Sequence, residues 1–312
     1  MGFDYRINNT ASYHREGMQT LGWELTVCNA LEEAVSPCRG IIKKNATLGN
    51  LLYDHLAALI PLEECASILE VGGGYGFIMR DFLRQRTFKR AAMIDLSPVL
   101  LARQKKTLYG MGVDFMQEDF FTVDAALLKR FDLVMLNEVV GDFPTLCDID
   151  PTWLALPGDR LDPPLAAIKR FFTAHGLPLP PAFFNFNSGA VEAVDRLCGA
   201  GVRFIYLSEH SCEAFVPEPL GEKIRVPYAG NPERIPLMGH DEYTIRFSHL
   251  EKAAGSYGYR VVRGRYADFI EFDMTDRLNF TLTSHSQKDE HEIIRQFVED
   301  CFKYEYLLLV RG

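Results

Sequence analysis

Short apolar runs alternate with amphipathic stretches along most of the chain after residue 60. Strands are predicted at SILEVGG, RAAMIDLS, VDFMQED and FDLVMLNEV, and helical patterns occur at FIMRDFLRQR and PVLLARQKKTLYG. Strands separated by helical patterns of about a dozen residues are typical of βαβ units. The pattern therefore predicts a parallel sheet covered by helices on both faces.

The rest of the chain is predicted to flank and complete this sheet. Helical spacing in TLGWELTVCNALEEAV and LGNLLYDHLAALI indicates a helical region over residues 1–60, and residues 61–312 are expected to form the main domain. Eight of the 16 prolines lie between positions 144 and 181, which indicates an inserted cap over about 144–182 with one helix near 165–175. Beyond the cap, helices are predicted at GAVEAVDRLCGAG, SHLEKAAGSYG and DEHEIIRQFVEDCF, and strands at VRFIYLSEHS, RVVRGRYADFI and YEYLLLVRG.

Composition narrows the class of protein. The chain has 312 residues, a net charge of -9 and 47% hydrophobic residues, which is typical of a soluble globular protein and argues against a nucleic-acid partner. It has no long apolar run and no apolar core of a signal peptide, so we expect no membrane partner and a cytoplasmic location. The seven cysteines form no C-x-x-C and the eight histidines no H-E-x-x-H, so no metal site is predicted.

A glycine-rich turn follows the first predicted strand of the sheet. In ILEVGGGYGFIMRDFL, Gly72, Gly74 and Gly76 alternate with other residues, and Glu70 precedes them. A dinucleotide-binding turn would need a third glycine where Phe77 stands, so an NAD-dependent dehydrogenase is excluded.

The turn and the acids that follow it resemble class I methyltransferases that use S-adenosylmethionine (SAM). Asp95 ends the second predicted strand, and Glu118 and Asp119 end the third. The resemblance implies a Rossmann-like α/β sheet, mostly parallel with an antiparallel last strand, with Asp95 on the ribose and the next acids near the adenine. The implied SAM-binding residues are Glu70, Gly72, Gly73, Gly74, Tyr75, Gly76, Asp95, Leu96, Glu118, Asp119 and Asn137.

Two of these acids also have a simpler interpretation. Asp95, followed by Ser97 and Pro98, fits the start of a helix. Asp119 fits a turn at the end of a strand. Both interpretations stay open at the level of sequence.

The end of the fourth strand resembles a narrower group, the MidA-like methyltransferases, which include an arginine methyltransferase of mitochondrial complex I assembly. Asn137, Glu138 and Asp142 match its N-E…D signature, although the proline follows one residue early. A later stretch with Gly221, Arg225, Thr244 and Phe247 is also similar. The group's amino-terminal signature is missing from residues 1–66, and the strand VRFIYLSEHS ends differently, so the resemblance leaves the acceptor open.

The resemblance implies methyl transfer to a nucleophilic acceptor, with a protein arginine as one candidate. Glu138 is the first predicted catalytic residue, Asn137 shapes the same wall, and Glu209 and His210 are further candidates. The amino-terminal helices and the proline-rich cap are expected to close over the acceptor pocket. Two alternatives remain: a methyltransferase for a small metabolite, and a noncatalytic assembly factor with the same fold. The sequence does not indicate the acceptor atom or the oligomeric state.

Overall fold

The computed structural model describes residues 2–18, 26–218, 220–226, 228–284 and 286–312. The strands are β1 (Arg6–Asn8), β2 (Ser67–Val71), β3 (Arg90–Asp95), β4 (Val113–Gln117), β5 (Leu133–Asn137), β6 (Thr145–Ile149), β7 (Phe184–Phe186), β8 (Phe204–His210), β9 (Arg234–Pro236), β10 (Asp241–Tyr243), β11 (Tyr259–Arg265) and β12 (Tyr304–Arg311). The helices are α1 (Val27–Ala30), α2 (Leu48–Leu59), α3 (Phe77–Gln85), α4 (Pro98–Thr107), α5 (Ala125–Leu128), α6 (Pro163–Ala174), α7 (Ser188–Ala200), α8 (Phe247–Ser256), α9 (Asp276–Thr283) and α10 (Asp289–Lys303).

A seven-stranded sheet organises the molecule, with the strand order β11-β12-β8-β5-β2-β3-β4. The pairs β2–β3, β2–β5, β3–β4 and β5–β8 are parallel, whereas β12 runs antiparallel to both β8 and β11. The predicted α/β Rossmann-like sheet, mostly parallel with an antiparallel last strand, is confirmed. This order brings the carboxyl ends of β2, β3, β4 and β5 to one edge of the sheet.

Helices cover both faces of the sheet, so its central strands are buried throughout. Every residue of β5 is buried, and its side chains alternate between two cores: Leu133 and Met135 join one, Val134 and Leu136 the other. Two-sided burial explains why these strands appear as continuous apolar runs in the sequence. No helix in the described part of the chain is both long and apolar enough to cross a lipid bilayer.

The amino-terminal region is much less helical than the sequence predicted. Of the helix predicted over residues 20–35, residues 20–25 lie outside the described residues, Val27–Ala30 is a single turn, and residues 31–35 form turns. The second predicted helix is confirmed as Leu48–Leu59. Near the amino terminus, Arg6–Asn8 forms a short strand because it pairs with the proline-rich segment.

The proline-rich segment contains a strand that the sequence prediction missed. Thr145–Ile149 is the middle strand of a small separate sheet, between Arg6–Asn8 and Phe184–Phe186. The predicted helix is present as Pro163–Ala174, which starts with Asp162 accepting a hydrogen bond from the Leu165 N–H. The proline-rich segment and the amino terminus are therefore joined beside the main sheet.

Gly189 fixes helix α7 against the turn that leads into the proline-rich segment. Its N–H donates to the Pro144 carbonyl over 2.7 Å. A Cβ at this position would lie 2.6 Å from Pro144 Cδ and 2.8 Å from Phe143 Cβ. No side chain fits there without moving that turn.

We expect Gly189→Ala to destabilise the protein by about 1–3 kcal/mol, the usual cost of forcing extra atoms into a packed core. Gly255→Ala is the matched control, since Gly255 lies in α8 and a Cβ there would have open space around it. That change should stabilise the protein by about 0.5–1 kcal/mol, the cost of glycine in a helix. Denaturant unfolding of both variants measures the difference, and equal effects would contradict the packing described here.

Candidate functional site

A cavity of about 200 Å³ opens at the carboxyl edge of the main sheet. Ligands of open α/β sheets bind at this edge. The residues that line the cavity include Glu70, Gly72, Gly73, Gly74, Tyr75, Asp95, Leu96, Glu118, Asp119, Asn137 and Glu138. The structure thus gathers most of the predicted site residues around one space.

The glycine turn needs its glycines for two different reasons. Gly72, Gly74 and Gly76 have φ angles of 63°, 51° and 81°, in the left-handed region that favours glycine. Gly73 has no such angle, but a Cβ there would lie 2.4 Å from Met93 Cε and 2.7 Å from Glu70 Cδ. The backbone therefore passes directly over the Glu70 carboxyl group.

Glu70 is a buried acid whose charge has no obvious neutralising partner. It is 1% exposed, and its Oε2 has no hydrogen-bond partner among the described residues. Burial raises the pKa of Glu70 to about 8, and the negative charge of Asp95 adds to the effect, while the Met79 N–H opposes it. A cationic ligand group beside Oε2 would remove the cost of this burial.

Asp95 takes part in the start of α4, as the simpler interpretation predicted, and its contact with the ribose stays a prediction. Its Oδ1 accepts from the Ser97 N–H over 2.8 Å, and its Oδ2 accepts from the Gln104 amide over 2.6 Å. Ser97 in turn caps α4, with Pro98 in the first turn. Burial raises the pKa of Asp95 to about 6. The carboxyl group is held rigidly, and each oxygen keeps a further lone pair for a ligand hydroxyl.

The end of β4 supplies an exposed acid and a turn residue. Glu118 is exposed at the cavity edge. Asp119 caps the following turn by accepting from the Phe121 N–H over 3.0 Å, as the simpler interpretation predicted. Its other carboxylate oxygen accepts from Arg15 over 2.9 Å. Asp119 therefore also ties the amino-terminal segment to the cavity.

Asn137 and Glu138 form the wall at the end of β5. Asn137 Oδ1 accepts from the hydroxyls of Ser208 and Tyr266 over 3.0 and 2.8 Å, and its Nδ2 donates to Glu138 Oε1 over 3.2 Å. Glu138 has a φ of 52°, which is rare for a residue with a side chain. Burial raises the pKa of Glu138 to about 7, against hydrogen bonds from Asn137 and Tyr304.

Three predicted site residues do not line the cavity. Gly76 caps α3, and its Cα faces Leu108 and Gln104 of the neighbouring helix region. Glu209 accepts from the Gly141 N–H over 3.1 Å and from the His210 N–H over 2.9 Å, which fixes the turn after β5. Burial raises the pKa of Glu209 well above its ordinary value. Glu209 therefore supports the cavity wall from behind, whereas the ring of His210 packs against Tyr304.

Sequence reasoning did not identify the amino-terminal residues of the site. Asn9, Thr10, Ala11 and His14 line the cavity, as do Thr26, Cys28 and Asn29. Arg80 of α3 holds the segment after α1 through two hydrogen bonds to Glu32, of 2.5 and 2.8 Å. The expected closure over the pocket is thus made by short helical turns and loops instead of long helices. Such contacts between distant segments carry no local sequence signal.

Residues 69–152 match the family model described as "Methyltransferase domain". The matched stretch contains the glycine turn, Asp95, the end of β4 and the Asn137–Glu138 pair. The protein is a SAM-dependent methyltransferase. SAM is its methyl donor.

Solved structures are similar to this methyltransferase at low sequence identity. An uncharacterised protein from Burkholderia thailandensis is 17% identical, with 85% of this chain and 80% of that chain covered and a TM-score of 0.51. A SAM-dependent methyltransferase from Mesorhizobium loti is 12% identical over 84% and 98% of the two chains, with a TM-score of 0.46. Magnesium protoporphyrin IX methyltransferase from Synechocystis PCC 6803 is 14% identical over 85% and 84%, with a TM-score of 0.41. No curated protein matches the chain in sequence.

The cavity of the methyltransferase suits the chemistry of SAM. The partnerless Glu70 oxygen offers a place for an ammonium group, and the bare backbone at Gly73 allows a ligand to approach closely. Asp95 can accept hydrogen bonds from ribose hydroxyls. Glu118 and Asp119, which are predicted to lie near the adenine, also line the cavity.

We expect Asp95→Ala to weaken SAM binding by about 1–3 kcal/mol, because hydrogen bonds to charged groups are lost. Asp114→Ala on the neighbouring strand β4 is the control, since Asp114 is exposed and lies outside the cavity lining. Calorimetric titration with SAM measures both affinities. Unchanged affinity in Asp95→Ala would count against a role in holding the ribose.

Proposed function

We propose that this methyltransferase transfers the methyl group of SAM to a nitrogen atom of a cationic acceptor, with a protein arginine as the first candidate. The observation that carries the proposal is the position of Glu138, a carboxyl group held in the cavity wall by a strained backbone. SAM supplies a methyl group on a positively charged sulfur. The protein has to align the acceptor, exclude water and receive the proton that the acceptor nitrogen loses.

The backbone of Glu138 supports a functional role for its side chain. A residue with a side chain costs of order 1–3 kcal/mol in the left-handed region, and such residues cluster at active sites. The Glu138 N–H donates to the Ser208 carbonyl over 3.0 Å, which fixes this conformation. The structure thus keeps Glu138 in an unfavourable backbone conformation, and this conformation sets the direction of its carboxyl group.

The neighbouring hydrogen bonds orient Glu138. Because Asn137 Oδ1 accepts from two buried hydroxyls, its amide group is turned toward Glu138. Ser208 and Tyr266 also lie within 2.8 Å of each other, so the three side chains form one buried network. We assign Asn137, Ser208 and Tyr266 as positioning residues for Glu138.

The pKa of Glu138 suits both tasks that the reaction requires. With a pKa near 7, raised by burial, the side chain is a carboxylate above neutral pH and can pair with a guanidinium or ammonium group. The same carboxylate can then accept the proton released from the methylated nitrogen. Turnover should therefore increase between about pH 6 and 8, as Glu138 loses its proton.

A small-molecule acceptor is the second candidate, and the covering amino-terminal segment favours it. Arg15 binds Asp119 and His14 binds Asp142, each pair 2.9 Å apart, so residues of this segment lie across the cavity. A covered cavity admits a metabolite more easily than a side chain on a folded protein. A noncatalytic assembly factor would need neither the raised pKa nor the strain at Glu138.

Transfer of radiolabelled methyl groups from SAM to a fractionated cell lysate tests the proposal. We expect label in the protein fraction, on methylarginine after hydrolysis. Glu138→Gln should retain SAM binding but lose about 10²–10⁴-fold in turnover, the usual contribution of a general base. Glu192→Gln, an exposed change on α7, is the control and should remain fully active.

Other outcomes would redirect or end the proposal. Label confined to the small-molecule fraction would support the second candidate. A fully active Glu138→Gln variant would remove Glu138 from the mechanism. Absence of label in every fraction, with SAM binding intact, would favour the noncatalytic alternative.

A further inference from the structure

Two histidines and an acid from distant parts of the chain meet at the edge of the cavity. His14 comes from the amino-terminal segment, Asp142 from the turn after β5, and His240 from the residue before β10. His14 Nε2 lies 2.9 Å from Asp142 Oδ1, and His240 Nε2 lies 3.5 Å from the same oxygen. His14 and Asp142 also line the cavity.

The spacing of these atoms fits a shared metal ion. Two atoms bound to Zn²⁺ at 2.0–2.1 Å in tetrahedral geometry lie about 3.3–3.4 Å apart. The distances of 2.9 and 3.5 Å fall on either side of this value, and all three ligand atoms lie within 4.8 Å of one another. Although His14 Nε2 and Asp142 Oδ1 are close, neither meets the geometry of a hydrogen bond within the described residues.

The charges around the cluster favour a cation. The Glu242 carboxylate lies 3.6 Å from His240 Nε2, which places a second acid next to Asp142. Two carboxylates beside two imidazoles offer the oxygen and nitrogen ligands that divalent transition metals bind.

Packing holds the histidines in place. The ring of Tyr13 stacks on His240 with centroids 4.2 Å apart and an angle of 18° between the planes. Gly239, with a φ of 98°, allows this contact, because a Cβ there would lie 2.7 Å from Tyr13 Cε2. Thr10 Oγ1 donates to the Asp142 carbonyl over 2.9 Å, which anchors the segment that carries His14. The side chain of His240 is only 5% exposed.

We propose that His14, Asp142 and His240 form a binding site for a divalent transition metal of the zinc type. Three protein ligands leave a coordination position for water or for an oxygen atom of the acceptor, as in catalytic zinc sites. The metal would also join the amino-terminal segment to the rim of the cavity. The sequence predicted no metal site because the ligands are far apart along the chain and form no motif.

Metal binding to the full-length protein tests this site without any activity assay. Metal-free protein is titrated with Zn²⁺ and, separately, with Co²⁺, whose visible spectrum reports nitrogen and oxygen ligands. We expect one equivalent to bind, and His14→Ala and His240→Ala to weaken binding at least about 100-fold, the upper end of what changes around metal ligands cost. His291→Ala is the matched control, because His291 lies on α10 outside the cluster.

Asp142→Asn separates loss of the metal from loss of the fold, since it keeps the shape of the side chain. It should lose the metal while retaining its circular dichroism spectrum and its unfolding midpoint. The proposal is overturned if the double variant His14→Ala/His240→Ala binds Zn²⁺ as tightly as the unmodified protein. Equal weakening by His291→Ala would overturn it as well.

Discussion

The site depends on one buried carboxyl group, one oxygen of which has no hydrogen-bond partner among the described residues. Glu70 stands on the central strand β2, almost fully buried, with one oxygen lacking a hydrogen bond in the described structure. Burying a charge in this way is costly unless the group is protonated or meets a cation. The glycine turn passes directly above it, and no side chain can fill the space at Gly73. We infer that Glu70 is kept for the ammonium group of SAM.

The second constraint is that the cavity is completed by segments far from it in sequence. Arg15 binds Asp119, and Arg80 binds Glu32, so charged pairs hold short helical turns and loops over the sheet edge. The Arg15–Asp119 pair is partly exposed, and exposed ion pairs contribute little stability individually. Their value is in placing the covering segment, which must admit both SAM and the acceptor. The cofactor side of the site is thus built on rigid strands, whereas the covering side is held by weaker contacts.

The sheet and the cofactor residues could be predicted from sequence because their signals are local. Strand periodicity, the glycine spacing and acids such as Asp95 at strand ends need no knowledge of distant contacts. The predictions that failed concern features that depend on contacts between distant segments. Thr145–Ile149 became a strand because it pairs with Arg6–Asn8. Gly76 was predicted to bind the ligand, but a glycine is needed there because α3 starts from a left-handed backbone conformation. His14 and His240 meet only through the tertiary fold, and no local pattern marks them.

Proton release on SAM binding tests the role of Glu70 most directly. With a pKa of about 8, raised by burial, Glu70 is protonated in the free protein near pH 6.5, and an ammonium group beside it would lower that pKa and expel the proton. Calorimetric titration with SAM at pH 6.5, in buffers of different ionisation enthalpy, counts the protons. The account predicts release of nearly one proton more by the native protein than by Glu70→Gln. Equal proton release with equal affinity in the two proteins would contradict it.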